Sequence, residues 1–235
     1  MILGTFLLFF NPGKGPVPVL SSFSYIQGSC EGSLALVWTE SRLFSPVPLD
    51  TDIFLPRETL PVSGSVPLYV RLNREPVLEN VHVGHWEEVG FATRTTLPLD
   101  ILVDASPGLV SVKNDGIHDL SHAFIIRGNT VTAAGCIPAG EHVDIALAED
   151  YEDNGPFSMQ PALDPVWKDL SDLELGIMER VLKNRGFLAS LKREPMVVMG
   201  FIGEDIFSGT LDMETWESYS HALVVLRVKD ERAER

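Results

Sequence analysis

The sequence predicts a mainly β protein, with antiparallel β-sandwich-like layers and one substantial α-helix. Three observations predict it. Between Val110 and Leu147, short β-branched runs (Val110–Lys113, Ala123–Arg127, Thr130–Ala134, Val143–Leu147) are each closed by a Gly- or Asn-containing turn, the pattern of successive antiparallel strands. Pro12, Pro16, Pro18, Pro46, Pro48, Pro56, Pro61, Pro67 and Pro76 punctuate the opening part of the chain, too closely for a helix of useful length. Only the segment 164–186 carries apolar residues at helical spacing.

Met1 to Phe10 is apolar but stops at Asn11-Pro12-Gly13. A spanning helix needs roughly 20 apolar residues, and the run has neither a basic n-region nor an Ala-x-Ala cleavage site. Two readings stand: a buried first strand, or the remnant of a membrane segment. No other stretch is expected to span a bilayer. Strand-like runs follow at Val17–Tyr25, Leu34–Thr39, Asp52–Leu55, Val66–Leu72, Val77–Val83 and Leu97–Val103. In Val66–Leu72 the alternation places Leu68, Val70 and Leu72 on one face, predicting a half-buried strand, and Pro67 marks a strand start or an edge.

Glu149 to Pro156 is acidic and turn-rich, a linker or long loop. A helix is then predicted from Asp164, as cap, and Pro165, in its first turn, to a stop at Gly186. Val166, Leu170, Leu173, Ile177 and Val181 form its apolar stripe, widened by Trp167, Met178 and Leu182. Met196–Ile202 and Ala222–Val228 are continuous apolar runs, expected of strands buried on both faces. The domain reading is an N-terminal β region over 1–105, strands completing the sandwich over 106–150, and an acidic loop, helix and C-terminal strands over 151–235 packed on the sheet.

With 33 Asp and Glu against 18 Lys and Arg, the formal charge is −15. Such a field repels a phosphate backbone unless cations are segregated on one face, and the dense basic cluster is small: Lys183, Arg185, Lys192 and Arg193. No nucleic-acid partner is expected. The two cysteines, Cys30 and Cys136, form no C-x-x-C pair, which removes zinc-ribbon and thioredoxin-like readings. A Cys30–Cys136 disulfide and two reduced thiols are both open.

Two histidine pairs are the main candidates for chemistry: His82 with His85, followed by Glu87 and Glu88, and His118 with His122, flanking Asp119. Imidazoles and carboxylates brought together by strand pairing could bind zinc; the metal candidates are His82, His85, His118, His122 and Glu87. On a strand, residues three apart point to opposite faces, so His82 and His85 converge only through a bulge or turn at Gly84. Loop and strand-end histidines with Trp86 packed nearby are the simpler reading, and no cofactor is expected.

No nucleophile elbow occurs, and neither cysteine has a neighbouring histidine. Asn11-Pro-Gly-Lys14-Gly15 lacks the Gly spacing, the Ser or Thr and the helix of a phosphate loop. Glu87 or Glu88 with Asp100 or Asp104 could form a glycosidase pair, although a solvated acidic surface accounts for them. Gly203-Glu204-Asp205 and Asp212 lack EF-hand spacing. Trp38, Trp86 and Trp216 are candidate sugar-stacking platforms, Trp86 first among them.

The run Val112-Lys-Asn114-Asp-Gly116, Asp119-Leu120, Ala123-Phe-Ile-Ile, Gly135 and Ile137-Pro-Ala-Gly140-Glu141 resembles Ig-like and fibronectin-like β-sandwich accessory modules of bacterial envelope proteins, over about residues 108–147. Asn-x-Gly supplies a tight turn and Pro-Ala-Gly-Glu the corner into a last strand. The whole chain resembles extracytoplasmic regions of uncharacterised bacterial membrane proteins. The resemblance implies an extracytoplasmic (periplasmic or cell-envelope) location and assigns no functional residue.

The function expected is therefore a non-enzymatic interaction or scaffold domain with a protein partner, associated with a membrane component, recognising it by a sheet edge or loop surface. The alternatives are a metal-dependent or carbohydrate-active β enzyme using the histidine pairs, and a carbohydrate-binding module.

Overall fold

A computed structural model of the chain describes residues 17–29, 34–72, 75–106, 108–128, 130–147, 168, 170–183, 194, 196–203 and 209–228. Its strands are β1 (Val19–Ser29), β2 (Leu34–Ser45), β3 (Leu49–Phe54), β4 (Leu60–Gly64), β5 (Tyr69–Arg71), β6 (Val77–Val83), β7 (Glu87–Pro98) and β8 (Ile101–Ser106). They continue with β9 (Leu109–Asn114), β10 (Leu120–Arg127), β11 (Thr130–Ile137), β12 (His142–Ala146), β13 (Met196–Ile202), β14 (Thr210–Leu211) and β15 (Glu217–Val228). Among the described residues one helix, α1 (Asp172–Lys183), lies between β12 and β13 in sequence. The predicted mainly β architecture with a helix and C-terminal strands is what these residues form. Among the described residues no helix is long and apolar enough to cross a membrane.

The strands form an eight-stranded sheet in the order β11-β10-β13-β15-β1-β2-β7-β4, a three-stranded sheet β12-β9-β8 and a four-stranded sheet β14-β3-β6-β5. The chain divides into two units interleaved in sequence: 1–24, 37–96 and 205–220 form the first, and 25–36, 97–204 and 221–235 the second.

In the first unit, side chains of β1, β2 and β7 (Leu20, Leu43, Val89, Phe91) share a core with those of β3, β6 and β14 (Ile53, Leu78, Val81, Val83, Leu211). This is a two-layer sandwich, built from strands that alternate inward and outward residues. The outward-facing residues of β2 (Trp38, Glu40, Arg42) are exposed while Val37, Thr39, Ser41 and Leu43 between them are buried, a strand with one face on a core. Two of its inward residues are hydroxyls satisfied across the β1–β2 pair, Ser22 with Ser41 at 2.9 Å and Ser24 with Thr39 at 2.8 Å. Consecutive strands repeatedly change sheet: β2 leads into β3, β6 into β7, and β4 into β5. Ser65 to Leu68 join β4 to β5. Four residues at about 3.3 Å each reach about 13 Å, enough for the roughly 10 Å between packed sheets. Among the described residues β4 and β5 are edge strands of their sheets, and their short connection places them on one side of the sandwich.

In the second unit, β13 is buried at every position and pairs antiparallel with both β10 and β15. That is why its sequence is a continuous apolar run with no alternation. Leu120 packs so closely over Gly200 of β13 that a Cβ there would stand 2.6 Å from the Leu120 Cγ. β10 and β11 are a hairpin, whereas β12 returns to pair with β9, which also pairs with β8. Asn114 ties these connections together. Its amide donates to the His118 and Ile137 carbonyls at 2.9 and 3.1 Å, and its side-chain oxygen accepts from Gly116 N–H at 3.2 Å.

The helix differs from expectation at its start. Its predicted opening at Asp164-Pro165 lies outside the described residues, Lys168 and Leu170 are in turn and bend, and the described helix begins at Asp172. Ser171 is its cap: the Ser171 hydroxyl accepts from Glu174 N–H at 3.3 Å, and Glu174 accepts from Ser171 N–H at 2.8 Å. This is a capping box, which satisfies two orphan donors reciprocally. The predicted first strand or membrane remnant at residues 1–10 also lies outside the described residues.

Candidate interaction surface

The histidine pairs fall in different units. His82 is an exposed β6 residue whose Nδ1 lies 2.8 Å from Asp50 on β3. His85 and Glu87 belong to the exposed turn between β6 and β7. His118 is half-buried in the loop before β10, and His122 lies on β10 itself. Among the described residues no group of three or more His, Cys, Asp or Glu side chains is placed to hold a metal ion. Cys136 is an exposed free thiol on β11; Cys30 lies outside the described residues. Asp119 accepts from Ala139 N–H at 2.8 Å, and Asp100 and Asp104 are exposed. Trp216 is half-buried against the first unit's core, and Trp38 is exposed on β2.

His122 has a structural partner that sequence reading missed. Its φ is +46°, and the register of β10 slips around it against both β11 and β13. The bulge re-aims the imidazole toward Glu174 of α1, 3.0 Å away. Glu174 is buried and also accepts the Ser171 hydroxyl at 2.7 Å. Burial works to raise the Glu174 pKa. Hydrogen bonds from the Ser171 hydroxyl and N–H and from His122, with the charge on His122, more than offset this, and the net shift is downward. The local signal was Ser171-Asp-Leu-Glu174, a capping-box pattern. No local signal points to His122.

Trp86 sits in the turn Gly84-His85-Trp86-Glu87, closed by Glu87 N–H donating to the Gly84 carbonyl at 3.3 Å. Its φ of +60° is unusual for so bulky a residue. Trp86 N–H donates to the Ser45 carbonyl at 3.0 Å, tying the turn to the end of β2. The indole lies 5.9 Å from the rings of Phe44 and His85, tilted by 56° and 58°, yet Trp86 is 45% exposed. A Cβ on Gly84 would meet the Glu87 carboxylate, the far end of an exposed side chain that can move aside.

The largest concentration of exposed apolar side chains in the first unit is on β4, β5 and their connection. Leu60, Val62, Val66, Tyr69, Val70 and Leu72 are all exposed, Tyr69 at 71%. Leu68 alone of the expected inward trio packs against the core; Val70 and Leu72, expected beside it, are exposed, because a three-residue edge strand has no layer over it. The two edges differ. β4 carries Pro61 and a register slip beyond it against β7, both of which blunt an edge. β5 pairs with β6 through Tyr69, Val70 and Arg71 with neither device inside it.

No protein-family model matches the chain, and no curated protein matches it. Two solved structures similar to it are of the yeast delta-COP-I mu-homology domain. One, complexed with a Dsl1 WxWxV peptide, has a TM-score of 0.47 at 7% identity, covering 91% of this chain and 98% of that one. The other has a TM-score of 0.48 at 8% identity, covering 92% and 99%. These neighbours correct the expected kinship with Ig-like and fibronectin-like modules of bacterial envelope proteins. The motifs behind that kinship do make turns at Asn114 and Gly140. Such turns solve a local problem common to antiparallel folds, and the strands they join belong to two sheets, β9 and β12 in one and β10 and β11 in another. The extracytoplasmic location rested on that kinship alone and falls with it.

Proposed function

We propose that this chain is a non-enzymatic protein-interaction domain that takes an extended segment of a partner protein along β5. What supports this is the pairing of a sheet edge that carries neither a proline nor a register slip with a set of exposed apolar side chains on the same side of the sandwich. Soluble proteins ordinarily cover or charge an edge along its length, and exposed apolar side chains gathered at one edge mark interaction sites. A strand added to β5 gains main-chain hydrogen bonds from the edge, its side chains on one face meeting Tyr69 and those on the other Val70 and Leu72. A membrane component presenting an extended segment is a partner of this kind.

Selection of random peptides on the full chain tests the proposal. The peptides recovered should alternate apolar and polar residues and lose affinity when alternate backbone nitrogens are methylated, which removes strand hydrogen bonds. The double change V70K and L72K should weaken binding about tenfold or more while leaving stability within about 0.5 kcal/mol, as for other surface positions. Binding that survives both N-methylation and the double substitution overturns the proposal.

A further inference from the structure

We propose that the Trp86 turn is a second binding site, for a cationic side chain, an arginine, on a partner protein. The inference starts from a residue in the wrong conformation for its type. A bulky L-residue in the left-handed region costs on the order of 1–2 kcal/mol, and glycine would occupy φ +60° freely. A tryptophan whose task was to fill a core would be covered, but this one remains 45% exposed.

The turn holds the indole firmly. The Trp86 N–H to Ser45 carbonyl bond clasps the loops at the ends of β2 and β6, and Phe44 and His85 support the ring at 5.9 Å. An aromatic platform fixed in this way binds without losing the freedom of a mobile side chain.

Charge selects the occupant. The exposed carboxylates of Glu87 and Glu88 follow Trp86 directly, and Asp50 stands opposite His82 in the β3–β6 pair just before the turn. Against them stand the guanidinium of Arg42, already 2.9 Å from Glu88, and the His82 imidazole, 2.8 Å from Asp50. The turn therefore carries excess negative charge in a chain of formal charge −15, which attracts cations and repels acidic partners. A planar guanidinium stacks on an indole face and pairs with a carboxylate in one pose. A neutral sugar could stack too, but would gain nothing from the net charge.

The test titrates the full chain with acetyl-Arg-Gly-Arg-Gly-Arg-amide and with its citrulline counterpart, a neutral near-isostere, measuring affinity by calorimetry in wild type and variants and following the Trp86 indole N–H resonance in wild type. The arginine peptide should shift that resonance saturably, with affinity falling several-fold as added salt goes from about 0.05 to about 0.5 M. W86G should weaken binding about fivefold, the scale of a cation–π contact, and E87Q with E88Q should weaken it further. Because glycine suits the backbone at this position, a binding loss in W86G does not arise from misfolding. Equal binding of the citrulline peptide, undiminished binding by W86G, or a Trp86 shift produced by neutral sugars and not by arginine would each overturn the inference. So would the absence of a saturable shift with the arginine peptide.

Discussion

His122 and Trp86 are both bulky residues with a left-handed backbone, at φ +46° and +60°, but they use it in opposite ways. His122 turns inward, across a bulge, to a buried carboxylate that also caps α1. Trp86 turns outward and leaves much of its indole in solvent. Backbone strain in the first case is offset by an internal contact, and removing that contact should be costly. In the second, the strained conformation has a weaker internal return, since Trp86 remains 45% exposed. The difference separates strain that holds a fold together from strain that displays a side chain.

Removing the imidazole is the largest break in this comparison. H122A keeps the left-handed requirement and strips a donor from a buried carboxylate, so the second unit should lose about 2–3 kcal/mol. H122G loses the same donor but relaxes the backbone, and should recover about 1 kcal/mol of that loss. Chemical denaturation gives both values. Hydrogen exchange of the α1 amides shows whether the loss is felt at the helix, as the His122–Glu174 contact requires. Equal stability of the two variants would mean that the strain at φ +46° is no larger than the cost of glycine's greater freedom when unfolded.

Glu174 comes next. E174Q keeps the side chain's shape and loses the charge that His122 and Ser171 hold, for an expected cost of about 1–2 kcal/mol near neutral pH. The sign of its pH dependence follows from the downward shift of the Glu174 pKa. A carboxyl that binds its proton more weakly when folded contributes stability that is present above its unfolded pKa. That contribution is lost as pH falls through the folded value. The gap between wild type and E174Q should therefore close as the solution is acidified below the ordinary glutamate range. A gap that stays constant with pH would assign Glu174 a packing role alone.

The same residues mark where the sequence was legible. β13 and the apolar half of β15 were readable because burial on both faces leaves a continuous apolar run, whatever the neighbouring strands. β7 was readable only at its end, because Glu87-Glu88, Gly90 and a Thr93-Arg-Thr-Thr tract hide the inward residues Val89 and Phe91. β4 was hidden by Pro61 and Gly64, the residues that suit an edge. The helix was read as opening at Asp164-Pro165, where a capping Asp, a first-turn Pro and the apolar stripe coincide, and the Ser171–Glu174 box that caps the described helix was missed. Trp86 and His122 stood out as residue types, but their roles depend on φ and on tertiary partners. His122 meets Glu174 across 52 positions of sequence, a distance over which strand register, and not local pattern, decides contact. The edge at Pro67 was foreseen, and the exposure of Val70 and Leu72 was not, because alternation tells which residues share a face and not whether anything covers it.

The smallest expected effect has the opposite sign. W86G should stabilise the first unit by about 0.5–1 kcal/mol, because relief of left-handed strain outweighs the partial ring contacts it gives up and the greater freedom glycine has when unfolded. W86A separates the contributions: it loses the same ring contacts and keeps most of the strain, so it should fall below wild type. Paired denaturation curves of wild type, W86G and W86A make the comparison with His122 quantitative. Glycine should only reduce the damage at position 122, where the side chain serves the fold, and should improve on wild type at position 86. If W86G proves less stable than wild type by more than about 1 kcal/mol, the Trp86 indole holds the β2 and β6 ends together as His122 holds α1, and its display to solvent is incidental.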